Sequence, residues 1–548
     1  MHAILRRAAL EIARHRYWRP LEQSAERPDV AQTGALRALL AANRETTFGR
    51  EHGFAGIDGP RAFRERVPVH EYEALRPYID RQRQTGERAL TVEAPLFYAQ
   101  TSGTTGTPKY VPVTPAALAL YRAEQALFSY LQYRACPEAF SGMAMGVMGA
   151  AVEGRLDSGH AVGSVSGHLY ASLPGYLRAR AVVPPEVSSI ADYEVKYQVI
   201  LHLALAQPGI TYMGSPNPST FVRLLDVLHA RRDTLLAALA TGRSALVERL
   251  EPGIRAVVAA RMPAMPARAA VLGRLSALTY GNVWPGLRLV TTWTGGSCGI
   301  ALAALRRTLP GTARVMELGY QATECRGTIA LEAEAAGGLP PLGHAFFEFV
   351  ERQAWDAGRP EYLTVEALTS GRQYYVLVTT VAGLYRYFMN DLVEVTGTFR
   401  RTPLLRFVQK GRGVTNLTGE KLYEAQVIDA VQGELAGRGL VSRFFAFVAD
   451  PGVPGYQLYV EGLPELAGAT GLAEAVDRRL GDLNIEYRSK RESGRLAALV
   501  VRSLRPGTAD AYKAAAVSAG QREGQLKLPV LLDRKDVLLP LDDHLVAR

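Results

Sequence analysis

Few cysteines and few lysines mark this chain. It has 548 residues but only three cysteines, Cys136, Cys298 and Cys325. That excludes a disulfide framework and favours a reducing compartment. Neither they nor the ten histidines show metal-ligand spacing, and Cys325 is expected to be a buried thiol rather than a nucleophile. Eight lysines stand against a formal charge of +10, so the positive charge is mostly arginine. The arginines are scattered in ones and twos, without the clustered, aromatic-interleaved stripe that nucleic acid requires. No run of 18 uncharged apolar residues exists, so no transmembrane helix is expected. Arg14, Arg16 and Arg19 interrupt the N-terminal apolar pattern, which reads as an amphipathic helix and not a signal peptide. No nucleic-acid or membrane partner is expected, and the expected location is the cytoplasm.

What is present is a globular composition, 48% apolar and 21% charged. The length exceeds one ordinary core and predicts at least two domains. Helical spacing is expected over 36–42, 72–84, 114–133, 219–240 (ended by Gly242) and 472–483. Short strands are expected at 94–101, 110–113, 142–152, 287–292, 315–320, 374–380, 444–448, 456–460 and 496–501. The alternation predicts an α/β fold. A glycine-bearing polar stretch, Phe407-Val-Gln-Lys-Gly-Arg-Gly413, reads as a hinge. It places a boundary near 408, with domains at 1–408 and 409–548.

The most informative segment is Thr101-Ser-Gly-Thr-Thr-Gly-Thr-Pro-Lys109. Glycines let a backbone approach a ligand closely, successive N–H groups form anion nests, and hydroxyls and a lysine add donors and charge. The spacing is not that of the NTPase P-loop. Strand, polar loop, strand suits a grip on the phosphates of ATP.

This loop resembles the phosphate loop of the adenylate-forming ligases. Further segments narrow the resemblance to the auxin-responsive Gretchen Hagen acyl-acid amido synthetases, in a bacterial-type form. In order, they are Asn43 to Gly49 with His52 to Phe54, Phe63 to Val69 with Tyr72, Tyr78-Ile79, Gly214-Ser-Pro-Asn-Pro218 and Trp284 to Leu289 with Trp293-Thr-Gly-Gly-Ser297. Then come Tyr320-Gln-Ala-Thr-Glu324, Phe346 to Phe349, Gly383-Leu-Tyr-Arg-Tyr387 with Asp391, Leu417-Thr-Gly-Glu-Lys421 and Gly524 to Pro529. The resemblance spans nearly the whole chain.

It implies a large adenylating α/β N-terminal domain and a small mobile α/β C-terminal lid. The implied reaction joins a carboxylic acid to ATP as acyl-AMP, then passes the acyl group to an amino acid or another amine. Two alternatives stand: a thiol acceptor such as coenzyme A or a carrier, and a non-catalytic ligand-binding relative. The implied cofactors are ATP and Mg²⁺. Ser102, Thr104, Thr105 and Lys109 would grip phosphates. Tyr320 would stack on adenine and Thr323 would bond a phosphate oxygen. Glu324 would hold Mg²⁺, and Asp391 would accept from ribose hydroxyls. Arg412, with Arg406 nearby, would assist at ribose and phosphates. Lys527 would reach the α-phosphate on closure, with Lys421 a second candidate. The family usually has glycine before the aspartate, where this chain has Asn390; asparagine tolerates positive φ and can keep the turn.

Overall fold

The computed structural model describes residues 10–101, 109–296, 298–411, 414–415, 417–418, 420–463, 471–492, 494–519, 521 and 526–546. Ser102, Thr104, Thr105 and Arg412 lie outside these residues. The chain divides into two compact units. The first comprises 1–216, 223–292 and 309–407. The second comprises 408–548 together with 217–222 and 293–308, two segments distant from it in sequence.

In the first unit a four-stranded parallel sheet runs in the order Met143–Gly146, Ile210–Gly214, Leu289–Thr292, Arg314–Glu317. Helices cross between its strands, among them Tyr193–Leu205, whose face is almost wholly apolar and buried. Such strands are covered on both sides and read as short apolar runs rather than alternating ones. Leu289–Thr292 is accordingly buried at every position. The 142–152 run is a strand only to Gly146, and the strand expected at 315–320 ends at Glu317. Tyr320 therefore stands beyond the carboxyl end of an edge strand. Ligands bind at such ends in open α/β sheets.

A second sheet carries Lys109–Val113, Phe97–Thr101, Ala161–Gly163 and Gly154–Arg155 in that order. Thr101 pairs with Lys109 in antiparallel register, so the two flanks of the polar loop are neighbours. Thr114 caps the next helix, Pro115–Ala135, by accepting from the Ala117 N–H. A third sheet has Thr402–Lys410, Tyr387–Phe399, Gln373–Thr379 and Phe346–Glu351 in order. Phe407 to Lys410 of the expected hinge lie in a strand, and the two units divide between 407 and 408. Packed on the sheet is a core that includes Phe48, Phe63, Ile79, Phe346, Val376 and Tyr385.

The second unit is built on a mixed sheet, Val500–Leu504, Gly455–Glu461, Phe445–Asp450, Leu531–Asp533. Phe445, Phe447 and Ala449 face helices Glu424–Gly437 and Leu472–Leu483. Ala446 and Val448 enter a separate cluster with Tyr512 and Leu504. Both faces are covered, which explains the unbroken hydrophobicity of 444–449. The third strand expectation here shifts: 500–504, not 496–501, is the strand. Among the described residues no helix is long and apolar enough to cross a membrane.

Candidate active site

Tyr320 to Glu324 form one side of a tight hairpin. Gln321 pairs with Arg326, the Tyr320 carbonyl accepts from the N–H groups of Gly327 and Thr328 at 2.8 and 3.0 Å, and Ala322 N–H donates to the Cys325 carbonyl at 2.9 Å. Glycine is required at 327, because a Cβ there would stand 2.1 Å from the Tyr320 ring. Arg326 anchors the base: it donates to the Leu318 carbonyl at 2.9 Å and lies 4.9 Å above the Phe128 ring. Burial lowers its pKa to about 10, partly offset by the Glu124 charge. The hairpin therefore presents Thr323 and Glu324 near its tip from a rigid base. Tyr121 donates to the Thr323 carbonyl at 3.3 Å.

The Tyr320 hydroxyl donates to Asp391 Oδ2 at 2.6 Å, and both side chains are buried. Its ring stacks on Phe407, with centroids 5.6 Å apart and planes 19° off parallel. Phe407 thus covers one face, and an adenine ring would have to use the other. Burial and then the Asp391 charge push the Tyr320 phenol well above its ordinary pKa, so it stays a protonated donor.

Asp391 owes its position to a break in register. Tyr375 pairs with Leu392 but Leu377 pairs with Phe388, so one strand carries extra residues between these pairs. Asn390 sits in this bulge with φ +52°. Positive φ is tolerated there as expected, but the residue re-aims a strand rather than closing a turn. Bulges next to active sites commonly do this.

Tyr387, on the same strand, donates to the Glu324 carboxylate. Burial, then the Glu324 charge, raises its pKa. The strand's entry is held by Arg386, whose Nε donates to Glu348 Oε2 at 2.9 Å and whose Nη1 donates to the Val67 carbonyl at 2.8 Å. Lys109 Nζ lies 5.5 Å from the Tyr72 ring centroid. The Tyr72 hydroxyl accepts from the Tyr110 N–H at 2.6 Å, and burial raises its pKa to about 12.

The first unit thus brings Tyr320, Glu324 and Asp391 together around Tyr387. Tyr387 and Phe407 were not singled out as site residues in the sequence. The available signal was the aromatic four residues before Asp391. Arg406 is an exposed cross-strand partner of Glu394 at 3.2 Å, and Lys421 is exposed with φ +41°. The three cysteines are buried thiols. Among the described residues no group of three or more His, Cys, Asp or Glu side chains is arranged to hold a metal.

In the second unit Lys527 Nζ lies over the Trp293 ring, 4.7 Å from its centroid. Asn217 Nδ2 donates to the neighbouring Leu526 carbonyl at 2.7 Å.

The fold is shared with solved ligases. It matches the GH3.15 acyl acid amido synthetase with a TM-score of 0.86 over 96% of both chains at 22% identity. It matches a 2-hydroxyisobutyryl-CoA ligase complexed with an acyl-AMP at 0.56 over 94% and 91% of the chains, with 14% identity. The chain belongs to the GH3 family: residues 18–313 match its N-terminal domain, 340–410 its central domain and 425–536 its C-terminal domain. Similar proteins include a probable indole-3-acetic acid-amido synthetase, GH3.7, of Oryza sativa subsp. japonica, 25% identical over 94% of this chain and 92% of that one. Another is the indole-3-acetic acid-amido synthetase GH3.3 of Arabidopsis thaliana, 23% identical over 96% and 93%.

Proposed function

We propose that this protein is an ATP-dependent acyl-acid amido synthetase of the cytoplasm. The observation that carries the reading is the group of buried Tyr320, Asp391 and Tyr387 with half-buried Glu324, which sets two carboxylates beyond the end of a parallel strand. The similar proteins named as amido synthetases support it. A carboxylate oxygen of the acid attacks the α-phosphorus of ATP, and pyrophosphate leaves. An amine nitrogen then attacks the acyl carbon of acyl-AMP, and AMP leaves with the electron pair of the broken C–O bond. Catalysis of this kind is chiefly positioning and electrostatic stabilisation.

Asp391 accepts from a ribose hydroxyl while Tyr320 holds its other oxygen. Glu324 is a hard oxygen donor fixed by Tyr387. One carboxylate suits Mg²⁺ carried by nucleotide phosphates, since Mg²⁺ takes one or two carboxylates plus phosphate oxygens and retained waters. When bound, Mg²⁺ neutralises phosphate charge. Lys109 adds positive charge for the phosphates, and Ser102, Thr104 and Thr105 supply donors to the β- and γ-phosphates. Thr323 and Arg412 assist at the phosphates and ribose, and Lys527 supplies charge at the α-phosphate. Residues 1–408 adenylate, and 409–548 act as a lid that excludes water from the reactive ester.

Pyrophosphate release from ATP across a panel of carboxylic acids, followed by product mass with amino acids or coenzyme A, tests the reading. Release with an acid and an amide product support it. A thioester product transfers it to a thiol ligase, and no release with any acid leaves a ligand-binding relative.

A further inference from the structure

Lys527 is approached by side chains from three remote parts of the sequence, all within the second unit. Asn217 donates from Nδ2 to the Leu526 carbonyl at 2.7 Å and is itself 6% exposed. Trp293 lies beneath the ammonium. On the far side of the lysine, the Glu424 carboxylate accepts from the N–H groups of Val530 and Leu531, and its charge acts on Lys527. Glu424 opens the helix Glu424–Gly437, where the helix dipole favours an acid. Leu531 also enters the sheet opposite Phe447, so the exit from 527–531 is doubly anchored. The entrance is held by a buried amide.

We infer that Asn217 and Glu424 are positioning residues for Lys527: they grip the backbone on either side of it and set its ammonium over the Trp293 ring. The inference rests on the reading of Lys527 as the lysine of the adenylation step. A lysine stem is flexible and its ammonium is a point charge. Its use in a transition state therefore depends on where its backbone is held. A misplacement of about 1 Å at a reacting centre can cost about a hundredfold in rate. The plainer role for Asn217 is local. Its Oδ1 accepts from the Ser219 N–H at 3.0 Å, at the start of helix Pro218–Ala230. That bond uses the oxygen, and the bond to Leu526 uses the nitrogen, so the two roles are separable.

Asn217→Asp keeps the acceptor for Ser219 and removes the donor to Leu526. With the acid that releases pyrophosphate fastest in the panel, the variant should lose roughly 10- to 30-fold in adenylation kcat. The KM for ATP should stay within about twofold, since the contact serves the transition state. Amide formation from supplied acyl-AMP should be unchanged. Glu424→Ala should behave alike, and Glu424→Gln, which keeps an acceptor, should recover most of the rate. In a Lys527→Ala background Asn217→Asp should cost nothing further, because residues acting as a unit are non-additive. An Asn217→Asp rate equal to wild type, or a full additional loss on top of Lys527→Ala, overturns the clamp and leaves the lysine's role standing. A Lys527→Ala enzyme that adenylates at the wild-type rate overturns the lysine's role and the clamp with it.

Discussion

The Tyr320 hydroxyl donates to Asp391 Oδ2 at 2.6 Å across 71 residues of sequence, and both side chains are buried. This bond fixes one oxygen of the carboxylate and directs the rest of its acceptor capacity elsewhere. Tyr320→Phe keeps the ring and its stacking on Phe407 but leaves Asp391 without this donor. A hydrogen bond to a charged group contributes about 1.5–3 kcal/mol. The expected result is a rise in KM for ATP of about tenfold or more, measured by steady-state kinetics at saturating acid. Asp391→Ala should lower kcat/KM for ATP by roughly tenfold to a hundredfold, or about 1.4–2.7 kcal/mol. Unchanged ATP kinetics in both variants would remove the ribose assignment.

Glu324 and Tyr387 make a second pair. Glu324→Gln should shift the Mg²⁺ dependence of pyrophosphate release to higher concentration and leave the KM of the acid nearly unchanged. Tyr387→Phe frees the carboxylate to rotate and should shift the same curve by a smaller amount. Superimposable Mg²⁺ titrations of Glu324→Gln and wild type would make Glu324 structural.

Much of this arrangement was readable beforehand, for physical reasons. The helices Tyr72–Thr85, Pro115–Ala135 and Leu472–Leu483 announce themselves by apolar spacing and by caps such as Thr114. Tyr320 to Glu324 is contiguous, so its motif is visible as text. The Tyr320–Asp391 bond is not, because its partners are distant in sequence and meet only through a bulge at Asn390. The stretch 407–410 reads as a polar loop but ends a strand, because pairing within a sheet is a long-range property. Nor does periodicity show that 217–222 and 293–308 pack with 408–548, since tertiary packing assigns them.

Glu420 shows how the second unit responds to pH. It is buried, and its carboxylate accepts from the Leu417 and Thr418 N–H groups at 2.8 Å each and from the Tyr456 hydroxyl. Burial acts to raise its pKa, but these hydrogen bonds win and hold it below 4.5. A depressed carboxyl pKa stabilises the fold above the unfolded value and loses that contribution as pH falls through the folded one. Thermal or urea unfolding should therefore show stability falling below about pH 4.5. Glu420→Gln should cost about 1.5–3 kcal/mol at neutral pH and flatten that dependence. An unchanged pH profile in the variant would show that other carboxylates set the acid limb.

The central claim is that the acid is activated as an adenylate before it meets the amine. A substrate acid labelled with ¹⁸O in both carboxylate oxygens tests it most directly. Attack on the α-phosphorus followed by cleavage of the acyl C–O bond predicts AMP carrying one ¹⁸O and an amide carrying the other, read by mass spectrometry of both products. Unlabelled AMP, or ADP with labelled inorganic phosphate, would contradict it.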